Sequence, residues 1–323
     1  MKILVTGGAG YVGSVVAKQL LAAGHDVLVL DDLSRGHAGA LPEGAGHAAV
    51  SLMDAPALAE PLAGTDAVLH FAALALVAES VEHPERYWHN NVVGTLNLLD
   101  AMRAAGVGRL VFSSTCATYG EPETVPITEQ EPTAPVNAYG ASKLAVDLMI
   151  GDECRAHGLA AASLRYFNVA GASGEQGEHH EPETHLIPLV LQAAAGTRDH
   201  IKVFGTDYPT RDGTAVRDYI HIEDLGEAHL LALDALEPGT HRIFNLGTGD
   251  GYTVREVIET ARRVTGREIV AREEGRRAGD PPELVAANAR ARSELGWAPS
   301  RGLEQMIADA WAWHRAHPRG YER

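Results

Sequence analysis

The chain has 323 residues, of which 45% are apolar, and its acidic residues outnumber the basic ones to give a formal net charge of −16. This length suits a two-domain enzyme or one large α/β unit. Because phosphate backbones are bound by clustered lysine and arginine, the acidic balance without a basic block excludes nucleic acid as an expected partner. The longest apolar run, residues 67–78, is too short to span a bilayer, and the amino terminus lacks a signal-peptide pattern. We therefore expect a cytoplasmic protein with no membrane partner.

Short β-branched runs alternate with helix-like segments through the first half of the chain. Strands are expected at KILVTGG, DVLVLDD, DAVLHFAA and GRLVFSST, and helices at GYVGSVVAKQLLAAG and HPERYWHNNVVGTLNLLDAMRAAG. This alternation predicts a doubly wound parallel sheet of the Rossmann type in residues 1–167. From residue 168 to 323 the chain becomes loop-rich, which indicates a second, smaller α/β substrate domain. Residues 216–249 include a strand-like run, HRIFNLGTG, that is expected to return to the first sheet.

A glycine-rich turn follows the first expected strand, where TGGAGYVG places Gly7, Gly10 and Gly13 at GxxGxxG spacing. Glycine permits a tight turn and lets a pyrophosphate approach the peptide units at a helix amino terminus. The same glycines also fit a turn that binds nothing. However, Asp31 and Asp32 end the next strand, where an acid accepts ribose hydroxyls and repels a 2′-phosphate. The expected cofactor is therefore NAD and not NADP.

A tyrosine and a lysine stand four residues apart in AYGASK, at Tyr139 and Lys143. Residues at this spacing share one face of a helix, so the ammonium can lie beside the phenol. A nearby positive charge favours the phenolate, which a phenol titrating near 10 needs before it accepts a proton at neutral pH. The pair is a candidate general base and its helper, although it proves nothing alone.

The cysteines and the histidine-rich segment do not fit known metal motifs. Cys116 and Cys154 match no CxxC or zinc spacing and are expected to be reduced thiols. In EHHEPETHLIP, His179, His180 and His185 match neither HExxH nor a zinc finger. We therefore expect a polar loop here and no metal.

Taken together, these motifs resemble the extended short-chain dehydrogenase/reductase family. The resemblance rests on GxxGxxG, on Asn90 in the long helix, on the SST ending at Thr115 and on YxxxK. In the second half, RYFNVAGA, HLIP, FGTDYPTRDGTAVRDYIHIEDL and RRAGDPPELVA look like the UDP-glucose (UDP-galactose) 4-epimerases of that family. The likeness runs from Met1 to HPRGY near the end. Its most specific part is DYPTRDGTAVRDYIH, whereas the glycines are common to many families.

The resemblance implies a role for each matching residue. Tyr139 would take the proton of the sugar 4-hydroxyl as hydride leaves C4, Lys143 would bind the nicotinamide ribose and lower the tyrosine pKa, and Thr115 would hydrogen-bond the same sugar oxygen. The residues implied to contact NAD are Gly7, Gly10, Tyr11, Val12, Gly13, Asp31, Ser34, Leu52, Phe71, Ala72, Ala73, Asn90, Ser113, Tyr139, Lys143 and Tyr166. Those implied to contact the UDP-sugar are Thr115, Asn168, His185, Leu186, Phe204, Arg217, Arg277, Asp280 and Leu284.

Some of these positions have a plainer interpretation. Thr115 could serve only backbone groups at a strand end, and the two arginines could be solvated. Ser51 and Ala75 depart from the resembling family, which often has an aspartate and a lysine there. Both departures concern how tightly NAD is held.

The residues after Thr115 distinguish epimerisation from elimination. Resembling enzymes that eliminate water carry acids there to deprotonate C5, whereas this chain has Cys116 and Ala117. The chemistry would then stop at a 4-keto sugar, and hydride returned to its other face would invert C4. We predict reversible interconversion of UDP-glucose and UDP-galactose. A 4-epimerase of UDP-N-acetylhexosamines or UDP-pentoses, and an inactive dinucleotide-sensing protein, stay open as alternatives.

Two further expectations concern assembly and substrate range. Apolar stripes on the helices expected near residues 87–105 and 138–157 would, by the resemblance, meet a second copy in a four-helix bundle, giving a homodimer. The alternative is that both stripes pack on the chain's own sheet. Leu284 would flank the sugar 2-substituent, where a side chain smaller than tyrosine would allow weak turnover of N-acetylated sugars. Alternatively, Leu284 faces the protein core.

Overall fold

The computed structural model describes residues 1–277 and 279–321. Its strands are β1 Lys2–Thr6, β2 Asp26–Leu30, β3 Gly46–Ala48, β4 Ala67–His70, β5 Arg109–Thr115, β6 Ala160–Tyr166, β7 Asn168–Ala170, β8 Ile201–Phe204, β9 Val216–Arg217, β10 Tyr219–His221, β11 His241–Leu246, β12 Tyr252–Thr253, β13 Ala271–Glu274 and β14 Glu283–Leu284.

Its α-helices are α1 Tyr11–Ala22, α2 Ala59–Leu62, α3 Val77–Glu82, α4 Pro84–Tyr87, α5 Gly94–Ala105, α6 Ala138–His157, α7 Leu186–Ala195, α8 Ile222–Asp234, α9 Val254–Thr265, α10 Ala289–Leu295 and α11 Leu303–Ala316. Short 3₁₀ helices cover Ala38–Ala40, Ala55–Leu58 and Cys116–Thr118, and a π-helix covers Trp88–Val93. In the described ranges, no helix combines the length and the apolar character needed to cross a membrane.

The centre of the fold is a seven-stranded parallel sheet in the order β11-β6-β5-β4-β1-β2-β3. Both faces of the sheet are covered, as parallel sheets require. In β1, Ile3 and Val5 pack into the core beneath α1 and α8, whereas Leu4 packs into the core beneath α5 and α6. The doubly wound α/β fold expected from the sequence is confirmed.

The second half of the chain packs around its own apolar core. Helices α7, α9 and α11 surround this core, which includes Val190, Val257 and Met306. Three small sheets accompany these helices: β7 with β10, β8 with β13, and β12-β9-β14. Strand β11, from this half of the sequence, pairs with β6 at the edge of the main sheet. A domain boundary between residues 167 and 168 stays a proposal.

Helix α6 has strong signals at both ends. The side chain of Asn137 caps its amino terminus by accepting a hydrogen bond from the Gly140 backbone N–H at 2.9 Å. Gly158 ends it in a left-handed conformation, with φ of 74°. Because the helix begins at Ala138, Tyr139 lies in its first turn and Lys143 one turn further along.

Candidate active site

Several of the residues expected at the site lie at the carboxyl ends of the central strands. The register places Thr6 of β1 beside His70 of β4, and Thr115 of β5 beside Tyr166 of β6. Ligands of open α/β sheets bind outside this edge. The fold therefore gathers the glycine turn, the threonine and Tyr166 along one side of the sheet.

The glycine turn between β1 and α1 is tightly packed. Gly7 has φ of +70°, and a Cβ there would lie 2.5 Å from the Ala72 backbone nitrogen. A Cβ at Gly13 would lie 2.3 Å from the Gly7 carbonyl oxygen. Among the described residues, no side chain caps the amino terminus of α1 at Gly10, so its first amides are open to an anion. Val12 packs beneath the turn, and the Tyr11 hydroxyl donates to the Gly171 carbonyl at 2.7 Å.

Asp31 ties the end of β2 to the glycine turn. Its carboxylate accepts hydrogen bonds from the Ala9 and Leu33 backbone N–H groups at 3.0 and 2.9 Å. Burial raises the pKa of Asp31, and these bonds oppose that rise. The Ser34 backbone N–H donates to Asp32 at 2.9 Å. The Asp31 carboxylate thus lies beside the glycine turn.

The loop after β4 contains Phe71, Ala72 and Ala73. The next residue of this loop, Leu74, is held by an asparagine that the sequence analysis did not single out. Asn91 is buried in the π-helix, accepts from the Leu74 N–H at 2.8 Å and donates to the Leu74 carbonyl at 3.0 Å. The expected Asn90 donates to the Asn91 side chain at 3.0 Å. A π-helix is a frequent companion of functional sites, but it has no sequence signature that would have identified Asn91.

Leu52 is buried in the core beneath α5. It packs against the backbone at Gly94, where an added Cβ would lie 3.2 Å from the Leu52 Cβ. The carbonyl of Leu52 accepts from the Asn97 side chain at 2.9 Å. Its position is therefore fixed by packing and by one backbone contact.

Tyr139 and Thr115 come together at the centre of this edge. Burial raises the pKa of Tyr139 to about 12, and a hydrogen bond with the Thr115 side chain opposes the rise. Thr115 also accepts from the Ala117 backbone N–H at 3.2 Å. The ring of Tyr139 meets that of Tyr87 edge-on, with centroids 6.5 Å apart. The phenol is thus held between the Thr115 side chain and the Tyr87 ring.

Lys143 is buried below the tyrosine and contacts the end of β5. Its ammonium donates to the Ser113 carbonyl at 2.7 Å and lies 4.7 Å from the Phe112 ring centroid. Burial lowers the pKa of Lys143 to about 7, and Asp147 opposes this. The lowering of the Tyr139 pKa by this lysine stays a prediction.

The hydroxyl groups of Ser113 and Tyr166 contact each other across β5 and β6. Burial raises the pKa of Tyr166. Its ring lies 6.1 Å from that of His229, which in turn lies 4.8 Å from Phe71. These side chains form one wall next to Tyr139.

The residues expected at the UDP-sugar come mainly from the small sheets. Asn168 begins β7, and its backbone N–H donates to the Asp218 carbonyl at 3.0 Å. The Arg277 guanidinium stacks on the Phe204 ring at 3.9 Å from its centroid. A second arginine, Arg217, forms an ion pair with Asp280. Its side chain is 14% exposed, and that of Asp280 is 31% exposed.

Leu284 lies between this sheet and the residues that follow Thr115. It pairs with Arg217 in the register of β14 and β9. Its side chain is half-buried and packs, together with Cys116, on the cluster formed by Tyr119, Ile127, Phe167 and Ala286. Burial raises the Cys116 pKa to about 12, and the Arg217 guanidinium opposes the rise. Thus Leu284 and Arg217 lie close to Cys116, the residue that follows Thr115 in the chain.

Asp218 was not singled out from the sequence, although it lies inside the specific TAVRDYIH segment. Its buried carboxylate accepts from the Thr248 N–H at 2.7 Å, from the Gly249 N–H at 2.9 Å and from the Ala286 N–H at 3.1 Å. One side chain therefore holds two loops beside Leu284. The sequence pattern does not set Asp218 apart from the charged residues around it, so only the fold identifies this role.

His185 and Leu186 lie at the start of α7, and His185 belongs to a compact group with Glu178, His180 and Glu183. Burial alone would lower the pKa of His185, but the two glutamates raise it to about 10. The same glutamates raise the pKa of His180 to about 9 against the effect of burial. The sequence analysis expected only a polar loop here, because the spacing matches no motif.

A doubly wound sheet with an uncapped glycine turn, an acid ending β2 and a tyrosine and lysine at its carboxyl edge defines a dinucleotide-dependent enzyme. Comparison with known proteins specifies the family. The model of the NAD dependent epimerase/dehydratase family matches residues 3–247, and the chain belongs to this family.

The similarity to known proteins extends along the whole chain. A UDP-glucose 4-epimerase of Corynebacterium glutamicum is 58% identical over 317 residues, which cover 98% of this chain and 96% of the relative. A crystal structure of a UDP-glucose 4-epimerase is 46% identical, with a TM-score of 0.96 and full coverage of both chains. The Bifidobacterium longum UDP-glucose 4-epimerase in complex with NAD⁺ and UDP is 34% identical, with a TM-score of 0.94 and coverage of 99% and 100%.

Proposed function

We propose that this chain catalyses the reversible epimerisation of UDP-glucose and UDP-galactose at C4, with NAD as its cofactor. The observation that carries the proposal is the joining of Tyr139 and Thr115 at the sheet edge where the glycine turn and Asp31 also lie. Relatives and solved structures of similar sequence, along the full length, are named for this reaction.

Each group of the site has a task in this reaction. Bound NAD supplies a reversible hydride acceptor. Tyr139 takes the proton of the C4 hydroxyl, and Thr115 holds the same oxygen through its hydrogen-bonding side chain. Lys143, one helical turn further along α6, is the nearby positive charge that binds the cofactor ribose and favours the phenolate. When the sugar presents its other face, Tyr139 returns the proton and the configuration at C4 is inverted.

The environment of Thr115 supports epimerisation over elimination. Elimination of water needs a group that deprotonates C5. Cys116 follows the threonine, and burial raises its pKa to about 12, so its thiol stays protonated at neutral pH. Ala117 has no ionisable group. Neither residue that follows Thr115 can take a proton from C5, so the reaction returns to a C4 alcohol.

NAD is proposed over NADP because of Asp31. One carboxylate oxygen accepts from the Ala9 N–H in the glycine turn, and the other accepts from the Leu33 N–H just after β2. A 2′-phosphate at this place would meet a buried negative charge. Residues 1–167 are the proposed NAD-binding domain and residues 168–323 the proposed UDP-sugar domain. A cytoplasmic location is also proposed, supported by the free thiols of both cysteines in the described residues.

A homodimer is the assembly that the surface favours. Apolar side chains stand exposed on the π-helix, α5 and α6, including Trp88 (42%), Leu96 (45%) and Leu148 (64%). Exposed apolar groups on adjacent helices are suited to a two-fold helix bundle. Light scattering should give twice the monomer mass of 34.3 kDa, and Leu148→Asp should give the monomer. Leu231→Asp, at an exposed position of α8, is the control; a monomeric wild-type protein contradicts the proposal.

The test of the reaction is a turnover assay with the purified full chain. UDP-galactose should be converted to UDP-glucose, and denaturation should release about one NAD per chain. NAD release without turnover would instead favour the dinucleotide-sensing alternative. Faster turnover of UDP-N-acetylgalactosamine or of a UDP-pentose than of UDP-galactose would move the function to the other epimerase class.

A further inference from the structure

Four side chains of types that can ligate a metal converge in the loop that leads into α7. They are Glu178, His180, Glu183 and His185, and their ligand atoms all lie within 4.8 Å of one another. The glutamate side chains are 8% and 7% exposed, so their charges are withdrawn from water. Two buried carboxylates need positive charge beside them, either from protonated side chains or from a metal ion.

Two of the four histidine–carboxylate separations match those between the ligands of a tetrahedral ion, and two are shorter. Nδ1 of His185 lies 2.9 Å from Glu178 Oε1 and 3.0 Å from Glu183 Oε1. Nδ1 of His180 lies 3.3 Å from Glu178 Oε1 and 3.5 Å from Glu183 Oε2. A Zn²⁺ ion with bonds of about 2.0–2.2 Å places its tetrahedral ligands roughly 3.3–3.5 Å apart. The two shorter distances would have to lengthen, and separations towards the 4.8 Å limit would have to shorten, before the four atoms could surround such an ion.

His180 supplies a second, independent observation. Its Nδ1 atom is buried, yet within the described part of the chain it has no hydrogen-bond partner, although two carboxylate oxygens lie near it. A ring nitrogen that faces two oxygens without pointing at either is suited to an ion between them. Buried polar atoms in proteins rarely stay unsatisfied.

We propose that Glu178, His180, Glu183 and His185 bind one divalent transition-metal ion, with zinc as the best match. Two imidazoles and two carboxylates are a donor set that zinc accepts, whereas magnesium and calcium prefer oxygen ligands alone. The two carboxylates neutralise the charge of the ion. Because protein atoms fill all four positions, the site is structural and not catalytic.

The ion would organise the loop that precedes Leu186 at the start of α7. Glu178 acts on the pKa of Tyr11, at the first residue of α1, so the cluster lies near the glycine turn. Ligation of His185 through Nδ1 leaves its Nε2–H free for another acceptor, as metal-bound histidines usually use it. The ion would thus fix the orientation of a residue that the resemblance assigns to the UDP-sugar, but binding of the metal does not depend on that assignment.

The test uses untagged full-length protein, stripped with a chelator and then equilibrated with Zn²⁺. We expect one tightly bound Zn²⁺ per chain and a higher thermal unfolding midpoint. Glu183→Gln and His180→Gln should each weaken binding at least tenfold and abolish the midpoint shift. Glu181→Gln is the matched control, since this glutamate lies in the same loop with a side chain that is 66% exposed and outside the cluster. It should bind Zn²⁺ as the wild type does.

Co²⁺ gives a readout that does not depend on how the variants fold. In the wild-type protein it should produce the intense visible bands of a tetrahedral ion, and Zn²⁺ should displace it at one equivalent. Substoichiometric Zn²⁺, a weak octahedral Co²⁺ spectrum, or full binding in both variants would overturn the proposal. In that case two histidine–glutamate ion pairs hold the loop without a metal.

Discussion

The two halves of the molecule hold their charged groups in different ways. In the sheet half, Asp147 of α6 and Arg165 of β6 form an ion pair whose side chains are 3–4% exposed. In the other half, Arg217 pairs with Asp280 in a site open to water, with side chains 14% and 31% exposed. The first pair is locked by three hydrogen bonds to one carboxylate oxygen, two from Arg165 and one from Ser114.

This difference matches the tasks proposed for the two halves. Hydride and proton transfer require fixed atoms, and Tyr139 and Lys143 stand on the helix that the buried pair connects to the sheet. Recognition of a nucleotide sugar needs groups that can exchange one partner for another. An arginine whose carboxylate partner is partly exposed to water, as in the pair of Arg217 and Asp280, can do so at small cost. Loops on a rigid scaffold usually carry such recognition groups.

The strongest way to test the rigid half is Tyr139→Phe. The change removes the hydroxyl but keeps the ring beside Tyr87, so we expect kcat to fall by roughly 10² to 10⁴ through loss of general base catalysis. Binding of UDP, measured by calorimetry, should stay unchanged because the second half is proposed to bind it. Tyr252→Phe on β12, in the second half, is the control and should keep full kcat. An active Tyr139→Phe enzyme would contradict the mechanism.

The comparison of ion pairs can be tested directly by Asp147→Asn and Asp280→Asn. Breaking the buried pair leaves Arg165 without its counter-charge, which should lower the free energy of unfolding by about 3–5 kcal/mol. Breaking the pair of Arg217 and Asp280 should lower the free energy of unfolding by at most about 1 kcal/mol. Urea unfolding of the full chain measures both, and Asp152→Asn, which breaks an exposed pair on α6, is the control. Equal losses in the two variants would remove the contrast between the halves.

The sequence predicted the sheet half well, because its signals are local and periodic. The buried strands are continuous apolar runs, and the four-residue spacing of Tyr139 and Lys143 is set by the helix alone. What the sequence did not show depends on the fold. The ammonium of Lys143 is engaged by the Ser113 carbonyl, which no spacing indicates. Asn91 holds the loop after β4 through backbone bonds that exist only once α5 and the sheet are packed.

In the second half of the chain, local sequence patterns predicted less of the structure. The ExHxxExH spacing of residues 178–185 fits no helical metal motif, since a loop and not a helix brings the four ligand atoms together. Asp218 looked like any charged residue of its segment, but it holds the loops at Thr248 and Ala286. The residue-by-residue placement of the UDP-sugar contacts came from resemblance and stays a prediction.

Cofactor choice is a test of intermediate size within the rigid half. Asp31→Ala removes a carboxylate expected to accept from the ribose, so we expect NAD affinity to fall by roughly 10- to 150-fold. NADP affinity should rise relative to NAD because the like charge is gone. Fluorescence titration of stripped protein measures both constants. Asp32→Ala, next to it on the chain, should change the preference little. NADP bound to the purified wild-type protein would contradict the assignment.

The smallest effect is expected in the adjustable half, at Leu284. This side chain packs beside Cys116 and pairs with Arg217, so a larger group there would narrow the space after Thr115. We predict efficient turnover of UDP-galactose by the wild type and weaker, measurable turnover of UDP-N-acetylgalactosamine.

In Leu284→Tyr the ratio of kcat/KM for the two sugars should move towards UDP-galactose, by roughly tenfold or more, since a packed site excludes added groups at about 1–3 kcal/mol. Leu231→Tyr makes the same change on the exposed face of α8 and should leave the ratio unaltered. If the ratio does not move in Leu284→Tyr, this side chain faces only the apolar cluster of Tyr119 and Phe167, and substrate range is set elsewhere. A shift with unchanged kcat for UDP-galactose would show that this half can be altered without disturbing the chemistry held by the sheet.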